Sequence, residues 1–178
     1  LEGRQVDLQF SYSQPYVNVV KEKIEPRQSS QSILHLGYQF PCQYGDKHYF
    51  ALIVLNAMFG EFAHSVLFTT LREKEGLAYS ISSQFDIFTG LLEVYAGIKK
   101  SNRNQAMRGI SRELNYIKLG RFSSSLLNQT KKIIRMNALL SEDHSLTLVE
   151  QRFNKVIFGD KSLSLENWLD EIRSEERR

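Results

Sequence analysis

A single cysteine, Cys42, among 178 residues leaves no internal disulfide to form and no multi-thiolate zinc site to build. Histidine is nearly as sparse. His35, His48, His64 and His144 are scattered, and neither H-E-x-x-H nor H-x-x-E-H occurs, the spacings that bring two imidazoles of one helix onto one metal. Glu61 with His64 comes nearest and falls short of a ligand set, so no metal ligand is expected in this chain and His64 reads as a surface or capping histidine. Phosphate-cradling loops of the G-x-x-x-x-G-K-[ST] and G-x-G-x-x-G types are also missing. The hydroxyls of "YSISS" lack a G-x-S-x-G elbow, and Cys42 sits in a Pro-flanked loop without a usefully spaced histidine. No nucleophile or other catalytic residue is therefore expected here. The longest apolar run, Tyr49 to Phe59, is well short of the ~20 residues that cross a bilayer. The opening "LEGRQVDLQF" has no signal-peptide run and no initiating methionine, so the chain reads as an excised piece, with a cytoplasmic address and no membrane partner expected.

What the chain does have is ordinary globular material: 42% hydrophobic residues, 24% charged residues and a formal charge of +3. That is enough apolar side chain for one core. Lys and Arg alternate with Asp and Glu along most of the length, which is unlike a nucleic-acid-binding arm. Lys131, Lys132 and Arg135 cluster on a helix whose other face is Leu126, Leu127, Ile133 and Ile134, and they read as a solvated face. No nucleic-acid partner is expected.

Residues 1–16 read as an irregular lead-in and 17–178 as the domain, with a short edge strand at Val17 to Lys21. "QSILHLGYQF" alternates with period two and is predicted as a strand; after Asp46, which can accept from free helix amides, "KHYFALIVLNAMF" is predicted as a buried helix. Phe62, Val66, Leu67 and Leu71 predict a second helix over Glu61 to Lys74, ended by Gly76. "LAYSISSQFDI" and "LLEVYAGI", joined by "FTG", predict an antiparallel hairpin. Four helices follow: Asn102 to Leu119 before Gly120, Ser124 to Leu140, Ser145 to Phe158 before Gly159, and Leu165 to Arg173 capped by Ser164. The fold class expected is α+β, an antiparallel-rich sheet with helices on one face and a C-terminal run of helices.

The stretch "FGEFAHSVLFTTLREKEGLAYSISSQF" carries the candidate chemistry. Arg72 falls in a last helical turn, where a cation meets free carbonyls, and Tyr79 opens the next strand beyond the Gly76 turn. Such a corner can aim a guanidinium and a phenol into one cleft, where both donate to a peptide carbonyl or an oxyanion. The residues leave a second reading open: strict alternation puts Tyr79 on the face of Leu77, Ile81 and Phe85, as a half-buried core tyrosine, with Arg72 an ordinary helix-end cation.

"LFTTLREKEGLAYSISSQFD" resembles the signature of the C-terminal, non-zinc half of the insulinase-type M16 metallopeptidases. The resemblance extends from about Val17 to Ser174 through "SILHLGYQF", "DKHYFALIVLNAMFG", "GLLEVYAGI" and the later helices, and its details look closest to bacterial pairs in which one member carries zinc and the other does not. It implies an M16 half-domain that faces a zinc-bearing half-domain or paired subunit. It also implies that Arg72 and Tyr79 bind a peptide substrate opposite zinc held elsewhere, so that this chain has no cofactor of its own and is inactive alone. A proteolytically inactive scaffold or assembly subunit is the other role the resemblance allows. The chain departs from the family in retaining only Gly60 of the glycine-rich stretch that often precedes this helix.

Overall fold

The computed structural model describes residues 19–42, 44–86, 88–141, 145–159 and 163–175. The two alternating segments before and after the corner, with the segment that returns from it, form strands β1 (Ser32–Gln39), β2 (Ala78–Asp86) and β3 (Leu91–Ile98), antiparallel in the order β1-β3-β2. The β2–β3 turn closes on Asp86, whose carboxylate accepts from the Phe88 amide at 2.8 Å and the Thr89 hydroxyl at 2.6 Å. Phe40, just past β1, donates its amide to the Gly90 carbonyl at 2.8 Å, tying β1 to the same turn.

Period two divides the sheet into an apolar and a polar face. Leu34, Ile81, Leu92, Val94, Ala96 and Ile98 are buried beneath the helices. On the other face, His35 stacks on Tyr95 at 4.1 Å, and Glu93 accepts from His35 Nε2 at 3.1 Å and Gln84 Nε2 at 2.9 Å. Helices therefore cover one face, as the alternation predicts. They are α1 (Tyr49–Asn56), α2 (Arg103–Lys118), α3 (Ser124–Ser141), α4 (Ser145–Phe158) and α5 (Leu165–Ser174). Ala106, Ile110, Leu114 and Ile117 of α2 enter the core, and the Phe50 and Trp168 rings join α1 to α5 edge to face at 6.1 Å. The Ser164 hydroxyl accepts from the Asn167 amide at 3.3 Å, as expected of an N-cap.

Four expectations are corrected. Val17 lies outside the described residues, as does the lead-in at 1–16, and Val19, Val20 and Lys21 form no strand; that segment is held instead by an ion pair from Glu22 to Arg103. The helix predicted over Glu61 to Lys74 is broken. α1 continues as a π-helical turn, Ala57–Glu61, Phe62 is extended at φ −109° and ψ 161°, and a new helix starts at Val66 and is π-helical over Phe68–Lys74. Apolar spacing missed the break because Phe62 packs against the core from the link itself. His64 is neither a free surface residue nor a cap: it shares a 2.9 Å hydrogen bond with Thr130, buried on α3, and burial holds its imidazole below the usual histidine range. Lys131 is more than a solvated cation. Its Nζ donates to the carbonyls of Arg173, at 3.0 Å, and Glu175, closing the C-terminal end of α5.

Candidate functional site

The corner is set by backbone bonds. The Glu75 amide donates to the Thr70 carbonyl at 2.9 Å, one residue wider than an α-turn, and the Leu77 amide donates to the Leu71 carbonyl at 2.8 Å across Gly76, whose φ is +61°. This closure, reaching six residues back, needs a left-handed residue, which glycine supplies without a Cβ penalty. From α2, Arg112 clamps the corner by donating to Glu75 at 2.6 Å and to the buried Glu113 at 2.9 Å. Sequence reading missed this clamp, because its partners lie 37 positions apart and charged helix residues carry no periodic mark.

Arg72 leaves the last turn of this helix exposed, its guanidinium 4.4 Å from the centre of the Phe68 ring one turn earlier. Such a contact holds the planar cation along the helix without consuming its donors. Tyr79 is the surplus residue of a β-bulge: Ala78 pairs with Ile98, Ser80 with Gly97 and Ile81 with Ala96, so three steps along β2 oppose two along β3. Ala78 and Ile81 consequently both face the core, and Tyr79 is 48% exposed. Simple alternation, which would have placed Tyr79 with Ile81, fails at this residue. Among the described residues, neither Arg72 nor Tyr79 has a hydrogen-bond partner, and the two side chains share no ring contact. Both residues are exposed, one before and one after the Gly76 turn.

A concavity of about 430 Å³ lies between the end of α1 and β2, lined by Ile53, Asn56, Glu61 and the stretch 82–85. Residues from both faces of β2 reach it, so it runs along the edge of that strand. Ser83 Oγ donates to Asn56 Oδ1 at 2.8 Å, and Asn56 Nδ2 donates to Glu61 Oε2 at 2.9 Å, a polar relay whose first two members are buried. Desolvation pushes the Glu61 carboxyl above the usual carboxylate range, opposed by the Asn56 amide. Although Glu61 is exposed overall, its carboxylate is drawn against a buried group, which accounts for the direction. The sequence did hold one signal here: Asn56 is the polar interruption in "YFALIVLNAMF", and a buried amide requires partners.

Among the described residues no three or more His, Cys, Asp or Glu side chains are grouped to hold a metal ion, and no helix is long and apolar enough to cross a membrane. Residues 4–134 match the family model described as the peptidase M16 inactive domain. The chain is 36% identical over 154 residues to "Probable inactive metalloprotease YmfF" of Bacillus subtilis, a match covering 86% of this chain and 36% of that protein. It superposes with TM-score 0.88 and 39% identity on a conserved protein from Enterococcus faecalis V583, covering 92% of this chain and 38% of that one. A peptidase M16 inactive domain from Pseudomonas fluorescens shares the fold at TM-score 0.72 and 21% identity, over 84% of this chain and 36% of that one. The chain thus spans little more than a third of each of these three proteins.

Proposed function

The chain belongs to the peptidase M16 inactive-domain family, and from that premise we propose that it is the non-zinc, peptide-binding half of a peptidase or of a zinc-less partner protein. Arg72 and Tyr79 bind the backbone of a peptide held opposite a zinc site in another domain or subunit. The observation that carries this reading is the bulge that takes Tyr79 out of the core. A tyrosine with no structural partner, presented by a local departure from strand pairing, is what a binding role requires and a packing role does not. Arg72 supports it with donors left free by its contact on Phe68. Both groups are neutral or cationic donors, suited to a carbonyl oxygen that gains negative charge during peptide hydrolysis. In this reading the chain's own residues bind and orient peptide.

In the full-length protein with its zinc-bearing counterpart, Arg72→Ala and Tyr79→Phe are expected to lower kcat/KM for peptide cleavage by about 10²-fold each, the usual loss for one oxyanion donor. Zinc content, read by elemental analysis, stays unchanged. Wild-type turnover in both variants would refute the assignment. A second reading, a proteolytically inactive scaffold, is favoured by the name of the Bacillus relative. It predicts no cleavage by the wild-type pair and normal assembly of both variants.

A further inference from the structure

Glu61 is the one ionisable side chain lining the concavity between the end of α1 and β2. Its carboxylate is desolvated, yet among the described residues it forms no ion pair. Asn56, buried and itself held by Ser83, fixes Glu61 Oε2 through the 2.9 Å hydrogen bond and leaves Oε1 without a donor among the described residues. Gln84 commits its Nε2 to Glu93, which leaves its carbonyl oxygen as a second acceptor among the lining residues. Ile53 and Phe85, both half-buried, add apolar wall beside these acceptors. The fold builds this setting: Glu61 ends the π-helical turn Ala57–Glu61, and Gly60 lets that turn lie close against the Ser83 backbone. Turns of this kind are rare and recur at functional sites.

We propose that this cleft is a subsite for a basic side chain, arginine or lysine, of the peptide that the chain binds. The inference deepens the peptide-binding reading above and rests on it. The aliphatic stem of such a side chain lies along Ile53 and Phe85 while its cationic head meets Glu61 Oε1 and the Gln84 carbonyl, as long cations cover apolar surface with the stem and bond a carboxylate with the head. An acidic side chain would meet a like charge, and an apolar one would cover Oε1 without supplying a donor. A cation also offsets the desolvation that Glu61 otherwise bears alone. One peptide can reach both places. The Ser80 and Ser83 levels of β2 are three ladder steps apart, about 10 Å, so an extended peptide held at the corner arrives at the cleft about three residues along.

The test uses the full-length parent protein with its zinc-bearing counterpart and fluorescein-labelled nonapeptides of serine, alanine, threonine and valine around one central residue, either arginine or its uncharged isostere citrulline. Affinity is read by anisotropy before turnover. Wild type is expected to bind the arginine peptide about fivefold more tightly than the citrulline peptide, the upper range for an ion pair still open to water. Glu61→Gln, which keeps an acceptor for Asn56, is expected to remove that preference. Equal affinities in wild type, or an arginine preference that survives Glu61→Gln, would overturn the proposal. Absence of binding by both peptides would overturn it together with the reading it rests on. That reading fails alone if Arg72→Ala and Tyr79→Phe bind the arginine peptide as wild type does while its preference over citrulline persists.

Discussion

Gly60 and Gly109 both sit in helical backbone, and replacing each by alanine should have different consequences. A Cβ at Gly60 would lie 2.6 Å from Ser83 Oγ, 2.8 Å from the Ser83 backbone nitrogen and 2.9 Å from its Cβ. Non-bonded carbons prefer roughly 3.5–4.0 Å, so the end of α1 and strand β2 would have to separate by several tenths of an ångström. Rotating the hydroxyl away relieves one contact of the three and sacrifices its bond to Asn56. Overpacking of this kind costs about 1–3 kcal/mol and the buried hydrogen bond about 1 kcal/mol more, against a helix-propensity gain of at most ~1 kcal/mol. The net expectation for Gly60→Ala is a loss of about 2 kcal/mol. At Gly109 the nearest atoms are the Leu71 methyl at 3.2 Å and its Cγ at 3.3 Å, side-chain rather than backbone atoms, which need give by only a few tenths of an ångström. Strain and propensity then cancel to within ~0.5 kcal/mol. Urea denaturation distinguishes the two: with a slope of roughly 2 kcal/mol/M, Gly60→Ala moves the midpoint down by about 1 M while Gly109→Ala leaves it in place. A Gly60→Ala protein as stable as wild type would mean that α1 and β2 do not meet as described.

Two further outcomes follow from buried charge. His64 is held below its ordinary pKa of 6.5, so the unfolded chain binds the proton more readily; stability is fully present above about pH 6.5 and falls as pH drops through the depressed folded value. Denaturation midpoints at pH 7 and pH 5 should therefore differ more in wild type than in His64→Gln, and equal differences would remove His64 as the cause. Arg112→Met leaves the buried Glu113 carboxylate without its guanidinium partner and frees Glu75, at an expected cost of about 1–3 kcal/mol, partly restored by adding Glu113→Gln. Unchanged thermal stability of Arg112→Met would show that the clamp does not hold the corner.

The parts of the fold legible in the sequence were those encoded by local period and local caps. β1, the β2–β3 hairpin and α2 through α5 appear close to where alternation, helical spacing and the residues Gly120, Gly159 and Ser164 put them. The break at Phe62 was not legible, since the spacing from Phe62 through Val66 to Leu71 suits one helix, and only the approach of Gly60 to Ser83 sets the end of α1. The relay from Ser83 to Glu61 and the clamp from Arg112 to Glu75 were hidden for a related reason. Each joins elements that meet only after the sheet has formed. Arg72 and Tyr79 were singled out by the resemblance of their stretch to a family signature, since residue types and spacing left two readings open, and whether Tyr79 faced solvent or core depended on a bulge that no local pattern announces.

That bulge has a cause in the packing. β2 is held at two points on its inner face: at the corner, where the Leu77 amide bonds back to Leu71, and at Ser83, which is pressed on Gly60 and bonded to Asn56. Ala78 and Ile81 must both point inward between these anchors, and both do. Residues on one face of a regular strand are separated by an even number of steps, whereas 78 and 81 are separated by three. The chain therefore has one residue too many for the distance, and it is expelled from the ladder as Tyr79. On this view the exposure of the phenol follows from contacts further along the same strand, so the Gly60–Ser83 approach and the exposure of Tyr79 are coupled. Forcing α1 away from β2 loosens the second anchor, relieves the surplus, and returns Tyr79 toward the core face that simple alternation assigns it.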